Sequence, residues 1–167
     1  RVSGQSVFVA WIETPAGGSP SVWSACYGID GHIEIAPRIV GKVSKTTWNL
    51  NAAIGADGVF YVVYDAQLDT QANELQLLAI NGETTRAIAL SADDGFASVY
   101  PDIGISENGF AALTWFDAKD GNEEIYLAIT PLADLLSGKT PQQLRITHTD
   151  AASIGVYLAW NGSRLAL

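Results

Sequence analysis

Apolar residues in this chain come in short runs separated by clusters of Gly, Asp, Asn and Ser, and the runs recur in a fixed order. VFVAWIE at 7–13, VFYVVYD at 59–65 and AALTWFD at 111–117 each close on an acid, and those acids, Glu13, Asp65 and Asp117, are spaced 52 residues apart. A second run follows each: SVWSACY at 21–27, ELQLLAI at 74–80 and EIYLAIT at 124–130. A third follows at 32–40, 84–91 and 142–149. A fourth, NLNAAIG at 49–55, PDIGIS at 101–106 and YLAW at 157–160, precedes a turn dipeptide: Asp57-Gly58, Asn108-Gly109 or Asn161-Gly162. β-Branched and aromatic runs of this length between turn residues read as strands. Asn-Gly and Asp-Gly read as hairpin turns because both residues tolerate positive φ.

The repeating unit is therefore four short antiparallel strands, at a period of about 50 residues, which is the signature of a β-propeller blade. In blade order the unit reads NLNAAIG, VFYVVYD, ELQLLAI, TTRAIALS. The first strand is rich in small residues (Ala52, Ala53, Gly55, Gly104, Ala159), as suits a strand crowded around an axis. The second and third are apolar on both faces, as strands packed between two neighbouring sheets should be. TPLADLLSG at 130–138 reads as a helical turn inserted before a fourth strand. The expected fold is all-β, with about three blades in one repeat domain and boundaries near 1–47, 48–98 and 99–152. Residues 153–167 start or complete a further blade. On this reading the chain opens in a second strand. With no Met anywhere in the chain, its start reads as processed or cut from a longer one. Propellers usually close with about 4 to 8 blades, so the expected object is half of a six-bladed ring made by a homodimer, or a fragment of a longer propeller chain.

The segment SVYPDIGISENGFAALTWFDAKDGNEEIYLAIT, 98–130, resembles a repeat of the sialidase-like, Asp-box-type β-propeller superfamily: a Pro-aliphatic strand, a Trp-x-Asp strand end, a short charged turn and an Ile-Tyr strand. Residues 46–80 follow the same pattern more loosely. The resemblance implies the propeller fold, and through the family's hydrolases it implies glycan processing. Ser91-Ala92-Asp93-Asp94-Gly95 meets only the first part of an Asp box and lies between units rather than in the turn the family uses. None of Arg1, Arg38, Arg86, Arg145 and Arg164 matches the arginine triad of those hydrolases.

Charge narrows the partners. The net charge is −9 and the pI about 4.4. No basic stripe for nucleic acid is visible, and an anionic membrane surface is disfavoured. No apolar run has the length of a membrane helix. A secreted or periplasmic setting is slightly favoured. Cys26 is the single cysteine, set in an apolar run and read as a small buried hydrophobe.

The candidate site follows from the repeat. In a propeller, the turns between second and third strands and the connections between blades open on one face. That face carries Glu13, Asp65 and Asp117, with Trp48 and Tyr100 on the connections. An acidic, aromatic rim suits a glycan or a protein, because rings stack on apolar faces and carboxylates accept hydroxyl hydrogen bonds. The structural alternative is that acids recurring in every unit bond turn N–H groups. Asp120-Gly121-Asn122 is not copied in the other units, which adds Asp120 and Asn122 to the ligand-binding set. Asp117, Asp120, Asn122 and Glu124 together offer oxygen ligands for a hard cation such as Ca²⁺, without EF-hand spacing; no other cofactor is implied. His32 and His148 lie near fourth strands, and no Ser-His-Asp set or phosphate loop occurs. The expected function is a non-catalytic propeller module binding a glycan or protein, with a portion of a sialidase-like hydrolase as the alternative.

Overall fold

The computed structural model describes residues 1–43, 45–47 and 49–167. It is all-β, built of antiparallel four-stranded sheets in sequential order. The first sheet runs β1 (Val2–Ser3), β2 (Ser6–Glu13), β3 (Ser21–Gly28), β4 (Ile33–Lys42). The second runs β5 (Leu50–Ile54), β6 (Phe60–Ala66), β7 (Glu74–Asn81), β8 (Thr84–Ala89). The third runs β9 (Ser98–Ile105), β10 (Phe110–Asp117), β11 (Glu124–Pro131), β12 (Gln143–Arg145), with α1 (Leu132–Leu136) between the last two. A two-stranded hairpin, β13 (Ala159–Asn161) and β14 (Arg164–Ala166), follows. Two details differ from the sequence reading. The first described strand is the short β1 rather than β2. The fourth strand of the third sheet is only three residues long: Ile146 N–H still bonds Ile125 O at 2.8 Å, but the Ile125 N–H goes to the Thr147 hydroxyl, and among the described residues no strand pairing continues towards β13.

The turns also differ from expectation. Asp57 and Asn108 keep negative φ, and only Gly58 and Gly109, both at φ 76°, are left-handed. Gly58 N–H bonds Gly55 O at 3.0 Å, and Gly109 N–H bonds Ser106 O at 3.0 Å, so each hairpin closes on a three-residue loop with a glycine bulge. Asp57 reinforces the first loop by accepting the Val59 N–H at 3.1 Å and the Tyr61 hydroxyl at 2.9 Å.

Two apolar layers join the sheets. Phe60, Val62, Tyr64, Leu78 and Ile80 of the second sheet pack with Val22, Phe8 and Ala10 of the first. Tyr61, Val63, Leu75 and Leu77 pack with Ile103, Leu113, Trp115 and Tyr126 of the third. Alternate residues of β6 thus enter opposite layers, and all seven of its residues are buried. First strands also neighbour one another: β5 lies against β9, and β9 against β13. At that last contact the backbone of Gly104 approaches closely. A Cβ there would stand 2.6 Å from Leu158 Cδ1 and 2.9 Å from Trp160 Cδ1. Gly104→Val should therefore lift the β13–β14 hairpin off β9 and lower stability by about 1–3 kcal/mol, measured by urea denaturation, with faster proteolysis between 146 and 158.

Candidate functional site

The turns between second and third strands meet the connections between sheets along one edge of the molecule. Gln67 N–H bonds Thr46 O at 3.0 Å, and Lys45 N–H bonds Gln67 O at 3.2 Å. Gln71 N–H bonds Asp93 Oδ1 at 2.9 Å, and Ser98 N–H bonds Asn73 O at 2.9 Å. In the third unit Asn122 Nδ2 donates to Thr149 O at 3.1 Å and to Ala151 O at 2.9 Å. This stitched edge carries the residues singled out from the sequence, except Trp48, which lies outside the described residues.

The three recurring acids do not occupy one structural position. Glu13 and Asp117 each stand opposite the first residue of the following strand, Ser21 and Glu124. Asp65 stands opposite the second, Leu75. Strand register alternates faces, so this one-residue offset turns Asp65 to the other side. Asp65 shares its face with Tyr61 and Val63, and Asp117 shares its face with Leu113 and Trp115; these four side chains meet in one layer. The two buried carboxylates therefore enter the same interface from opposite sheets.

Both carboxylates hold the start of β9. Asp117 Oδ2 accepts the Ser98 hydroxyl at 2.9 Å, and its Oδ1 accepts the Lys119 N–H at 2.9 Å. Lys119 Nζ sits 3.3 Å from Asp117 Oδ2. Asp65 Oδ2 accepts the Tyr100 N–H at 3.0 Å, and Asp65 Oδ1 accepts Asn73 Nδ2 at 3.3 Å. Tyr100 is the single described non-glycine residue with positive φ, at 54°. It was expected on a connection, but it lies inside β9. There the ladder slips, so that Tyr100 and Pro101 face Trp115 alone, a β-bulge. The bulge turns the Tyr100 ring outward, 43% exposed, onto Phe116 with ring centroids 5.2 Å apart. Glu13 is solvent-exposed, and Trp11 Nε1 donates to it at 3.4 Å.

Of the residues proposed for a cation, Asp117, Asp120 and Glu124 each accept from the protein's own donors. Arg145 Nη1 lies 3.3 Å from Asp120 Oδ2, which also accepts the Tyr126 hydroxyl. Arg145 Nη2 donates to Glu124 Oε1 at 2.8 Å. Glu124 further accepts the Thr147 hydroxyl and the Thr149 N–H, the latter at 3.1 Å. Lys119 Nζ stands 4.1 Å over the Tyr126 ring. Among the described residues, no group of three or more His, Cys, Asp or Glu is placed to hold a metal ion. Sequence reasoning missed Arg145, Lys119 and Asp102. Asp102 is a buried acid whose Oδ2 accepts the Leu158 N–H at 2.8 Å, tying the last connection to β9. Its signal was there to find, a lone charge in the apolar strand PDIGIS.

A second concave feature, a groove of about 380 Å³, runs along first strands alone: β1, β5, β9 and β13 with its approach, including Arg1, Ile54, Gly104 and Trp160. No protein-family model matches the chain, and no curated protein matches it.

The Thr147 hydroxyl, then Arg145 and the Thr149 N–H, outweigh burial and hold the Glu124 carboxyl down at about 2. A carboxyl depressed on folding stabilises the native state above its unfolded value of about 4.5. That contribution is lost as pH falls from there to about 2. Arg145→Ala should lower the melting temperature at neutral pH. It should also flatten the acid limb of the stability curve between about pH 4.5 and 2, followed by circular dichroism.

Proposed function

We propose that the sheets are blades of a β-propeller of the sialidase-like type and that the stitched edge is a non-catalytic binding surface for a glycan or protein. The observation that carries the reading is Tyr100: an exposed aromatic ring on a left-handed bulge, backed by Phe116 and fixed from beneath by a buried carboxylate. A backbone held in a disfavoured region persists where the surroundings over-determine it, and such places cluster at ligand clamps. A ring presented at fixed angle offers a stacking platform for the apolar face of a sugar at little entropic cost. Asp120 and Asn122 flank the same edge and Glu13 stands exposed. Asp65 and Asp117 act beneath it as supports. The non-catalytic reading is supported by how the acids are used, since Asp65, Asp117, Asp120 and Glu124 each hold backbone or side-chain donors of the protein.

The blade arrangement is supported by the order of strands in each sheet, by first strands lying side by side, and by the groove they line. The face of the first sheet turned away from the second carries Val9 and the stacked pair Trp11 and Trp23, 6.1 Å apart. In the second and third sheets the corresponding face is covered by the preceding sheet, so a further sheet, from a second copy or from a longer polypeptide, is the fitting cover.

On a glycan array the protein should bind at least one glycan class, and Tyr100→Ala should weaken that binding by about 1–3 kcal/mol while leaving the melting temperature nearly unchanged. Turnover of a fluorogenic sialoside without array binding would instead favour the hydrolase reading. Sedimentation of the isolated chain should give twice 17.7 kDa if a second copy supplies the cover. A folded monomer would sink the homodimer.

A further inference from the structure

The second and third units each begin their third strand with a buried glutamate, Glu74 and Glu124, 1% and 0% exposed. The two are wired alike at one oxygen. The Ser91 hydroxyl bonds Glu74 Oε2 at 2.5 Å while accepting the Leu75 N–H at 2.8 Å. The Thr147 hydroxyl bonds Glu124 Oε2 while accepting the Ile125 N–H at 2.9 Å. At the other oxygen they part. Glu124 Oε1 meets the Arg145 guanidinium, whereas Glu74 Oε1 is buried without a hydrogen-bond partner among the described residues. The pairing explains why. Arg145 stands opposite Tyr126, two residues beyond Glu124. The residue opposite Gln76, two beyond Glu74, is Ala89. The second unit has the acid without the cation.

The charged groups acting on Glu74 are acids: Asp94 and Asp93 on the connection that leaves Ser91, and Asp117 across the interface on β10. We propose that Glu74 is a proton-controlled latch, which when neutral holds the connection 90–97 against the start of β7 and the turn before it and when ionised releases it. The connection is held by few bonds, chiefly Leu90 N–H to Leu75 O, Ser91 to Glu74, and Asp93 to the Gln71 N–H. A buried carboxylate with one bare oxygen and three acidic neighbours is far costlier than the neutral acid. Moving Ser91 and the two aspartates outward admits water to it and separates the charges. Burial first, opposed by the Ser91 hydroxyl and reinforced by Asp94, Asp93 and Asp117, pushes the Glu74 carboxyl up to about 7. A carboxyl raised on folding costs nothing below its unfolded value of about 4.5. Its penalty grows as pH rises through the interval to about 7 and is complete above it. This is the opposite sign to Glu124. The latch does not depend on what the edge binds.

Amide hydrogen exchange tests it, with intrinsic rates divided out, at about pH 5.5 and about pH 8. In the wild type, opening of 90–97 should rise about tenfold or more between the two conditions, while the amides of β6 stay protected. Glu74→Gln should abolish the rise, and so should Ala89→Arg, which restores the guanidinium of the third unit. The carboxyl carbon of Glu74, followed by NMR in the folded wild type, should titrate near neutrality. Equal opening at both conditions, an undiminished rise in either variant, or titration of Glu74 near its free value would each overturn the latch.

Discussion

The structure depends on a strand, at the middle of the second sheet, that has no solvent face. Every residue of β6 is buried, and alternate side chains of that one strand enter two different apolar layers, one shared with each neighbouring sheet. An antiparallel sheet ordinarily keeps one face for water; here β6 cannot. Removing either neighbour would strand Phe60, Val62 and Tyr64, or Tyr61, Val63 and Leu75, in solvent. Each such side chain is worth about 1.5–3 kcal/mol of burial. The sheets are thus stabilised by each other more than by themselves, which is how repeat architectures behave.

That constraint explains the placement of charge. Where the layer between the second and third sheets reaches the edge, its last positions are Asp65 and Asp117, not apolar residues. Buried carboxylates are tolerable only when hydrogen-bonded. These two accept from Ser98, Tyr100, Asn73 and the Lys119 amide, so they close the layer and anchor the incoming strand with the same atoms. The third unit extends the scheme with Arg145, which neutralises two acids at once. The second unit lacks that cation, and its glutamate is left to the proton.

Much of this was legible in the sequence, for a physical reason. Runs such as VFYVV and LLAI carry apolar residues at successive positions, and strands buried on both sides tolerate that; their order and period follow from turns that glycine marks. Register was not legible. A spacing of 52 equates Asp65 with Asp117, yet sheet pairing sets them one residue apart, and one residue exchanges faces. Spacing along the chain counts loop residues and bulged residues alike, whereas facing is decided by hydrogen bonds between strands. The bulge at Tyr100 was hidden likewise: Val-Tyr-Pro-Asp reads as plain strand, and only a carboxylate from another sheet reveals why the tyrosine turns left-handed. Arg145 sits far along the chain from Asp120, so no local motif joins them.

Residues that recur in every unit argue for scaffold, and residues private to one unit argue for function. The structure refines this. In the two units where they are buried, the repeated acids hold backbone and side-chain donors of the protein. The asymmetries are of two kinds, however. Some are additions, such as Asp120-Gly121-Asn122, and these turn out to bond their own unit: Asp120 to Arg145 and Tyr126, Asn122 to the connection beyond. Others are differences at paired positions, such as Ala89 where the third unit has Arg145, or an extra residue, as at the left-handed Tyr100 where β5 pairs without a bulge. The first leaves an acid without a facing cation, and the second turns a ring outward. In a repeat whose stability is shared between neighbours, such local deficits are affordable only beside a well-packed layer. Both lie beside such a layer: Glu74 stands opposite Ala66, which packs in the layer shared with the first sheet, and Tyr100 is held by Asp65, in the layer between the second and third sheets.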